Sequence, residues 1–293
     1  MGPVSETKLR QAAFGESPVA PGVLAKAAGG PPRQRLLAAI VFGAGGHYAA
    51  AATLLGELGR GPDPVLAALA LAAFGSHRRQ LGGHAEARVL DSAALAATGR
   101  CREESAADPD GLDRAGAVAD ALLGLAADNL ALGRLPAARR LHEAAASASA
   151  AASAPACWRA EVRAGWVGAE IELMAGDPAS AIPPAEAALK AALRHGSVRH
   201  RTKSAMVLGA ALAAAGEQAG KDRAIDLVAK ALAAAEEYGL DSLRWPGLLL
   251  AADLIPKRGA QYRFSASQVL HGVLLRSDAM GRRIAAGSSW VPT

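Results

Sequence analysis

Long blocks of apolar positions, carried mainly by Ala and Leu, alternate along this chain with short polar punctuation. Pro62/Asp63/Pro64, Asp108/Pro109/Asp110/Gly111, Pro155 and Gly239 each supply turn or helix-start chemistry between blocks. The blocks predict paired helices at about 32–59, 64–98, 112–150, 156–194 and 198–238, and a further helix at about 242–254. Ile255 to Arg276 reads as one more amphipathic helix that closes the array. The segment CREESAADPDG is expected as a polar loop between the second and third pairs, and the SASASAAASA run near 147–154 as a frayed helix end. Residues 1–30 and about 280–293 are expected to be irregular. Pro183/Pro184 is expected to break the start of one helix.

A register runs through these blocks. Four stretches carry a small residue, a Gly seven positions on, a second small residue, and a third seven beyond that. They are Gly75, Gly82, Ala87, Ala94; Ala126, Gly133, Ala138, Ala145; Ala169, Gly176, Ala181, Ala188; and Gly209, Gly216, Ala224, Ala231, the last with about three extra turn residues. A weaker copy runs Ala39, Gly46, Ala51, with Leu58 in the final place. Antiparallel helices approach closely only where side chains are small, and Gly supplies the left-handed conformation that ends the first helix. The pattern resembles the tetratricopeptide repeat over roughly residues 32–254, although the family's early aromatic and its Pro after the second helix are mostly missing. Successive turn glycines lie 36 to 51 residues apart, against 34 in that family. Longer units of this kind are similar to the repeats of helical sensor regions in bacterial transcription regulators. The resemblance implies an all-α solenoid of about five antiparallel hairpins, wound as a right-handed superhelix. Residues 1–31 would be a leader, 32–254 the repeat domain, and 255–293 a capping helix with a short Trp290-Val291-Pro292 tail.

Composition agrees with thin layers. Hydrophobic residues make up 51% of the chain but aromatic ones only 4%, so helices must pack closely around little side-chain volume. The net charge of +5 is scattered in pairs such as Arg78/Arg79, Arg139/Arg140 and Arg282/Arg283. Such a balance licenses only non-specific attraction to nucleic acid, which is therefore a weaker candidate than a protein partner. Cys101 and Cys157 fit no metal spacing and no disulfide framework. With no secretory signal at the N-terminus, the expectation is a cytoplasmic protein. The run LLAAIVFGAGGHYAAAATLLG is long enough to raise a membrane span, but its central glycines and His47 fit a repeat turn instead.

Catalytic readings find little support. Gly43-Ala44-Gly45-Gly46 after an apolar run suggests a dinucleotide turn, yet Tyr48 stands where a third Gly belongs and no alternating strands and helices follow. The seven histidines show no metalloprotease spacing, and His47, His77, His84 and His142 are expected in solvated or capping roles. No nucleophile elbow or phosphate loop occurs. No catalytic residue, cofactor or metal ligand is expected.

The densest basic feature is Arg194, His195, Arg199, His200, Arg201, Lys203. It reads as a charged loop and helix start, but the helix dipole disfavours cations there, which raises the alternative of an anion-binding or acidic-partner site. The resemblance places Arg79, Asp120, Leu123, Arg163, Trp166, Glu170, Lys203 and Met206 on the concave groove. The function it implies is a non-catalytic adaptor binding a protein or peptide segment there. The alternative is a sensory or regulatory module, binding a small anionic ligand or a nucleic-acid-associated partner at Arg194, Arg199 and Lys203.

Overall fold

The computed structural model describes residues 4–101, 106–151 and 157–292. Residues 102–105 of the expected polar loop, and residues 152–156 with Pro155, lie outside the described residues. Within them the chain is all-helical, with no strand. The helices are α1 (Glu6–Phe14), α2 (Pro21–Ala28), α3 (Pro32–Ala44), α4 (Tyr48–Gly59), α5 (Pro64–Gln80), α6 (His84–Thr98), α7 (Arg114–Ala131) and α8 (Leu135–Ala151). They continue as α9 (Trp158–Met174), α10 (Pro178–Arg194), α11 (Val198–Ala215), α12 (Gln218–Glu237), α13 (Asp241–Leu254), α14 (Gly259–Leu275) and α15 (Ala279–Gly287).

The local chemistry that starts and stops these helices is visible in the sequence. Pro opens α2, α3, α5 and α10, where its missing N–H costs nothing. The carboxylates of Asp63, Asp113, Asp177 and Asp278 accept first-turn N–H groups of α5, α7, α10 and α15. At the turns, Gly46, Gly82, Gly133, Gly176 and Gly216 all have φ between +73° and +83°. That conformation is open to Gly and strained for other residues.

Neighbouring helices pack in pairs: α3 with α4, α5 with α6, α7 with α8, α9 with α10, α11 with α12 and α13 with α14. Gly165 marks a closest approach, because a Cβ there would lie 2.6 Å from the Pro184 carbonyl oxygen and 2.8 Å from Ala188 Cβ. Here one expectation fails: Pro183 and Pro184 do not break the helix, and α10 runs through them. The glycines of α9 leave room for Pro184 to pack, so tertiary contact overrides the local propensity.

Both termini also differ from expectation. The leader holds α1 and α2, and the last segment holds α15. Leu9, Ala13 and Phe14 of α1 are buried, and the helix is pinned by a distant polar loop. Arg10 reaches Asp108 and Asp110 at 2.5 Å, and Arg33 reaches Asp108 at 2.6 Å. Glu6 receives both guanidiniums.

The first helix of each pair lies inside. α3, α5, α7, α9, α11 and α13 each pack on their successor, and α13 packs back on α3, so the inner helices form a ring. Side chains reinforce the closure. Tyr48 and Leu81 share a buried cluster with Trp245, Leu270, Val273, Ile284 and Val291. The Ala49 N–H donates to the Arg276 carbonyl at 2.9 Å, and Arg78 donates both terminal nitrogens to Asp278 at 2.8 and 3.0 Å. One end of the ring is covered by α1, which touches α3 and α11. There the Val198 N–H donates to the Gly15 carbonyl at 3.3 Å and Arg201 pairs with Glu16 at 2.5 Å.

Candidate ligand cavity inside the helix ring

The ring encloses a cavity of about 600 Å³. Its inner helices run in one direction, as their cross-contacts show. Arg159, early in α9, meets Asp120, early in α7, whereas Arg79 near the end of α5 meets Asp128 near the end of α7. Midway, Trp166 Nε1 donates to Ser204 Oγ at 2.8 Å. Position along a helix therefore reads as depth. Phe14 of the leader, Arg159, Arg163, Arg199 and His200 lie at one end, and Leu130, Ala131, Leu173, Met174, His84 and Trp290 at the other.

The walls divide by chemistry. Leu36, Ile40, Leu69, Leu123 and Ala127 give α3, α5 and α7 an apolar face toward the space. Five cations also line it: Arg79, Arg159, Arg163, Arg199 and Lys203. Four of these are compensated by carboxylates. Arg79 lies between Asp91 at 2.9 Å and Asp128 at 2.5 Å, both fully buried. Asp120 serves two guanidiniums, Arg159 at 2.6 Å and Arg163 at 3.3 Å. Lys203 is 3.7 Å from Glu170, with its ammonium 4.4 Å from the Trp166 ring centre.

Arg199 is different. Among the described residues it has no carboxylate within ion-pair reach. Burial pushes its pKa down to about 10; Tyr48 opposes this, and the nearby charges of Arg163 and Arg159 add to it. Lys203 is likewise lowered, first by burial, against the raising effect of Glu170. Its side chain nevertheless keeps 36% of its surface, and we take that surface to face the cavity, because the ammonium lies over Trp166 inside the ring.

The Arg79 site holds one cation between two carboxylates, and the two signs of shift there have one cause. Burial alone would lower the Arg79 pKa, but Asp91 and Asp128 outweigh it and raise it. Burial, with the Asp128 charge, pushes Asp91 up to about 7 against the pull of Arg79. One guanidinium cannot hold two desolvated carboxylates ionised, so Asp91 carries a proton for much of the time at neutral pH. Two glycines make room for this acid: a Cβ on Gly124 would lie 2.4 Å from Asp91 Oδ2, and one on Gly75 3.1 Å away.

Seven of the eight residues expected on the groove line the cavity: Arg79, Asp120, Leu123, Arg163, Trp166, Glu170 and Lys203. Asp120 and Glu170 are engaged with cations instead of being free. Met206 is elsewhere, buried against α13, where Gly247 leaves a notch for its thioether. The basic cluster also divides. Arg199 and Lys203 face the cavity, while Arg194 pairs with Glu161 at 3.0 Å on the exterior.

Of the histidines expected in solvated or capping roles, His47 is exposed at the start of α4, whereas His77 departs from that expectation. His77 and His200 are buried. His77 stacks near Tyr48 and is pushed by burial down to about 3. Burial also holds His200 well below its ordinary value, with Ser197 Oγ 2.8 Å from its Nδ1 and Trp166 stacked on its ring. His84 Nδ1 is 3.6 Å from Asp128, near enough for an ion pair when protonated but too far for a hydrogen bond. Gly43–Gly46 form the end of α3 and its turn, with Gly43 leaving space for His77. The run before them is helix, not strand.

No protein-family model and no curated protein matches the chain. A solved structure, the crystal structure of BtubC (BKLC) from P. vanneervenii, is similar at 18% identity. The match covers 79% of this chain and 86% of that one, with a TM-score of 0.45. Among the described residues no helix is long and apolar enough to cross a membrane, and no group of three His, Cys, Asp or Glu side chains is placed to hold a metal ion.

Proposed function

We propose that this chain is a non-catalytic, tetratricopeptide-like sensory or regulatory module, of about five antiparallel hairpins wound in a right-handed sense with their capping helices, that binds a small anionic ligand inside its ring. One observation carries the reading: Arg199 stands without a counter-charge in an enclosed, half-apolar cavity. A desolvated, unpaired cation costs stability, and a bound anion would offset that cost. The volume falls within the range of small-molecule sites, about 300–1,000 Å³. Closure of the ring, with α1 over one end, favours a compact ligand over an extended peptide threading an open groove.

Protein binding is the second reading, and a specific observation favours it. Met174 and Trp290, at the open end of the cavity, are 50% and 59% exposed, which suits an adaptor gripping the end of a partner chain. A cytoplasmic setting fits both readings.

Equilibrium dialysis of the purified chain against a pool of cell metabolites, read by mass spectrometry, tests the first. Anionic compounds should be retained by the native chain and lost on Arg163→Gln or Arg199→Gln, with the helical circular dichroism spectrum unchanged. Retention that is the same in all three proteins would overturn it.

A further inference from the structure

We infer that the ligand of this cavity carries a single dianionic head, a phosphate monoester, at the Arg163–Arg199 end, with an apolar body lying against the wall formed by α3, α5 and α7. The inference rests on the small-ligand reading above and narrows its chemistry.

The head follows from local charge. At this end of the cavity Arg159, Arg163 and Arg199 face one carboxylate, Asp120, leaving two positive charges in excess locally, while Asp91 and Asp128 sit with Arg79 toward the other end. The adjacent Lys203–Glu170 pair is neutral. Asp108 and Asp110, beside the Arg159 end, are held outside the cavity by Arg10 and Arg33. His200 adds no charge, because it is buried among cations, stacked on Trp166 and edge-on to Trp158. A monoanion would leave one charge unmatched.

The three guanidiniums also converge. Arg159 and Arg163 stand on successive turns of α9, Asp120 ties them together, and Arg199 enters from the opening turn of the adjoining α11. Two charges on one atom cluster suit that arrangement better than two separated carboxylates. A phosphate monoester provides both charges and three acceptor oxygens for guanidinium forks. The body follows from the opposite wall, where Leu36, Ile40, Leu69, Leu123 and Ala127 offer no hydrogen-bonding side chain.

The test uses the full chain with inorganic phosphate, phenyl phosphate and its methyl ester, which has the same ring and one charge fewer. At pH 7.5, sodium phosphate should raise the melting temperature above the value in chloride of equal ionic strength. Calorimetry should find phenyl phosphate at least tenfold tighter than inorganic phosphate and at least tenfold tighter than the methyl ester. Phenyl phosphate should weaken about tenfold between pH 7.5 and 5, as its second proton returns near pH 6. Arg199→Gln should melt higher than the native chain in chloride and lose the phosphate increment; Arg163→Gln, a second variant, should also lose the increment.

Failures are separable. If the methyl ester binds as tightly as phenyl phosphate and Arg199→Gln abolishes both, the anion-binding reading stands and the dianionic head is wrong. If phosphate acts like chloride and Arg199→Gln melts no higher than the native chain, both fall.

Discussion

Removing the Asp278 carboxylate tests whether ring closure holds the protein together. Its Oδ1 accepts the Gly281 N–H at 3.0 Å, capping α15, and its two oxygens take the paired nitrogens of Arg78, 200 residues away in the chain. The Arg78 guanidinium is nearly enclosed and lies 4.6 Å from the Phe74 ring centre. Asp278→Ala should cost about 1–3 kcal/mol for stranding a buried donor and about 1 kcal/mol for the lost cap. The sum, roughly 2–4 kcal/mol, corresponds to a melting temperature lower by about 3–7 °C in a chain of this size. Asp278→Asn retains the cap and one hydrogen bond, and should lose about half as much. The decisive assay is amide hydrogen exchange, in which α15, the end of α5 and the turn at Gly82 should lose protection together. A variant within a degree of the native melting temperature, with faster exchange confined to α15, would refute a structural role for the closure.

Four further outcomes follow from the geometry. Gly165→Ala should destabilise by about 2–3 kcal/mol, because its methyl meets the Pro184 carbonyl and Ala188. By contrast Gly56→Ala, whose nearest neighbour is the flexible end of Arg60, should stabilise by up to about 1 kcal/mol; chemical denaturation measures both. Burial would raise the Asp108 pKa, but the hydrogen bonds from Arg10, Leu112 and Asp110 hold it far below the ordinary range. The leader should therefore stay docked at pH 4 and be lost only as the pH falls through that depressed value. Asp108→Asn should free it at neutral pH, speeding proteolysis between α1 and α2 roughly tenfold or more, as the loss of charge-assisted bonds worth about 1.5–3 kcal/mol implies. Asp91 has the opposite sign. Its raised pKa means the folded state binds the extra proton between about pH 4 and 7, so stability should fall across that window, and Asp91→Asn should flatten the fall in a pH series of denaturation midpoints.

Much of the inner surface was legible because the repeat register decides which helix faces point inward. Arg163, Trp166 and Lys203 follow from that register alone, without any knowledge of their neighbours. Met206 obeys the same register and still lies elsewhere, since the Gly247 notch that receives it is 41 positions on. Arg159, Asp91 and Asp128 carry no local signal: each is ordinary in its own helix and becomes significant only through a partner on the next one. Gly75, a helix-packing position in the register, and Gly124 are the available clue to Asp91, because both also clear space for the acid. The leader was missed because α1 takes its support from Asp108 and Asp110, about a hundred residues away, and not from its own sequence.

Closing the array has a consequence for its evolution. An open stack of hairpins can lengthen or shorten by whole units, since each contacts only its neighbours. In this chain, duplicating or deleting a pair would separate α13 from α3 and carry Asp278 away from Arg78. The number of units is therefore held by geometry, leaving variation to the residues that face the cavity. Descendants of such a ring would diversify by changing what they hold, not how long they are.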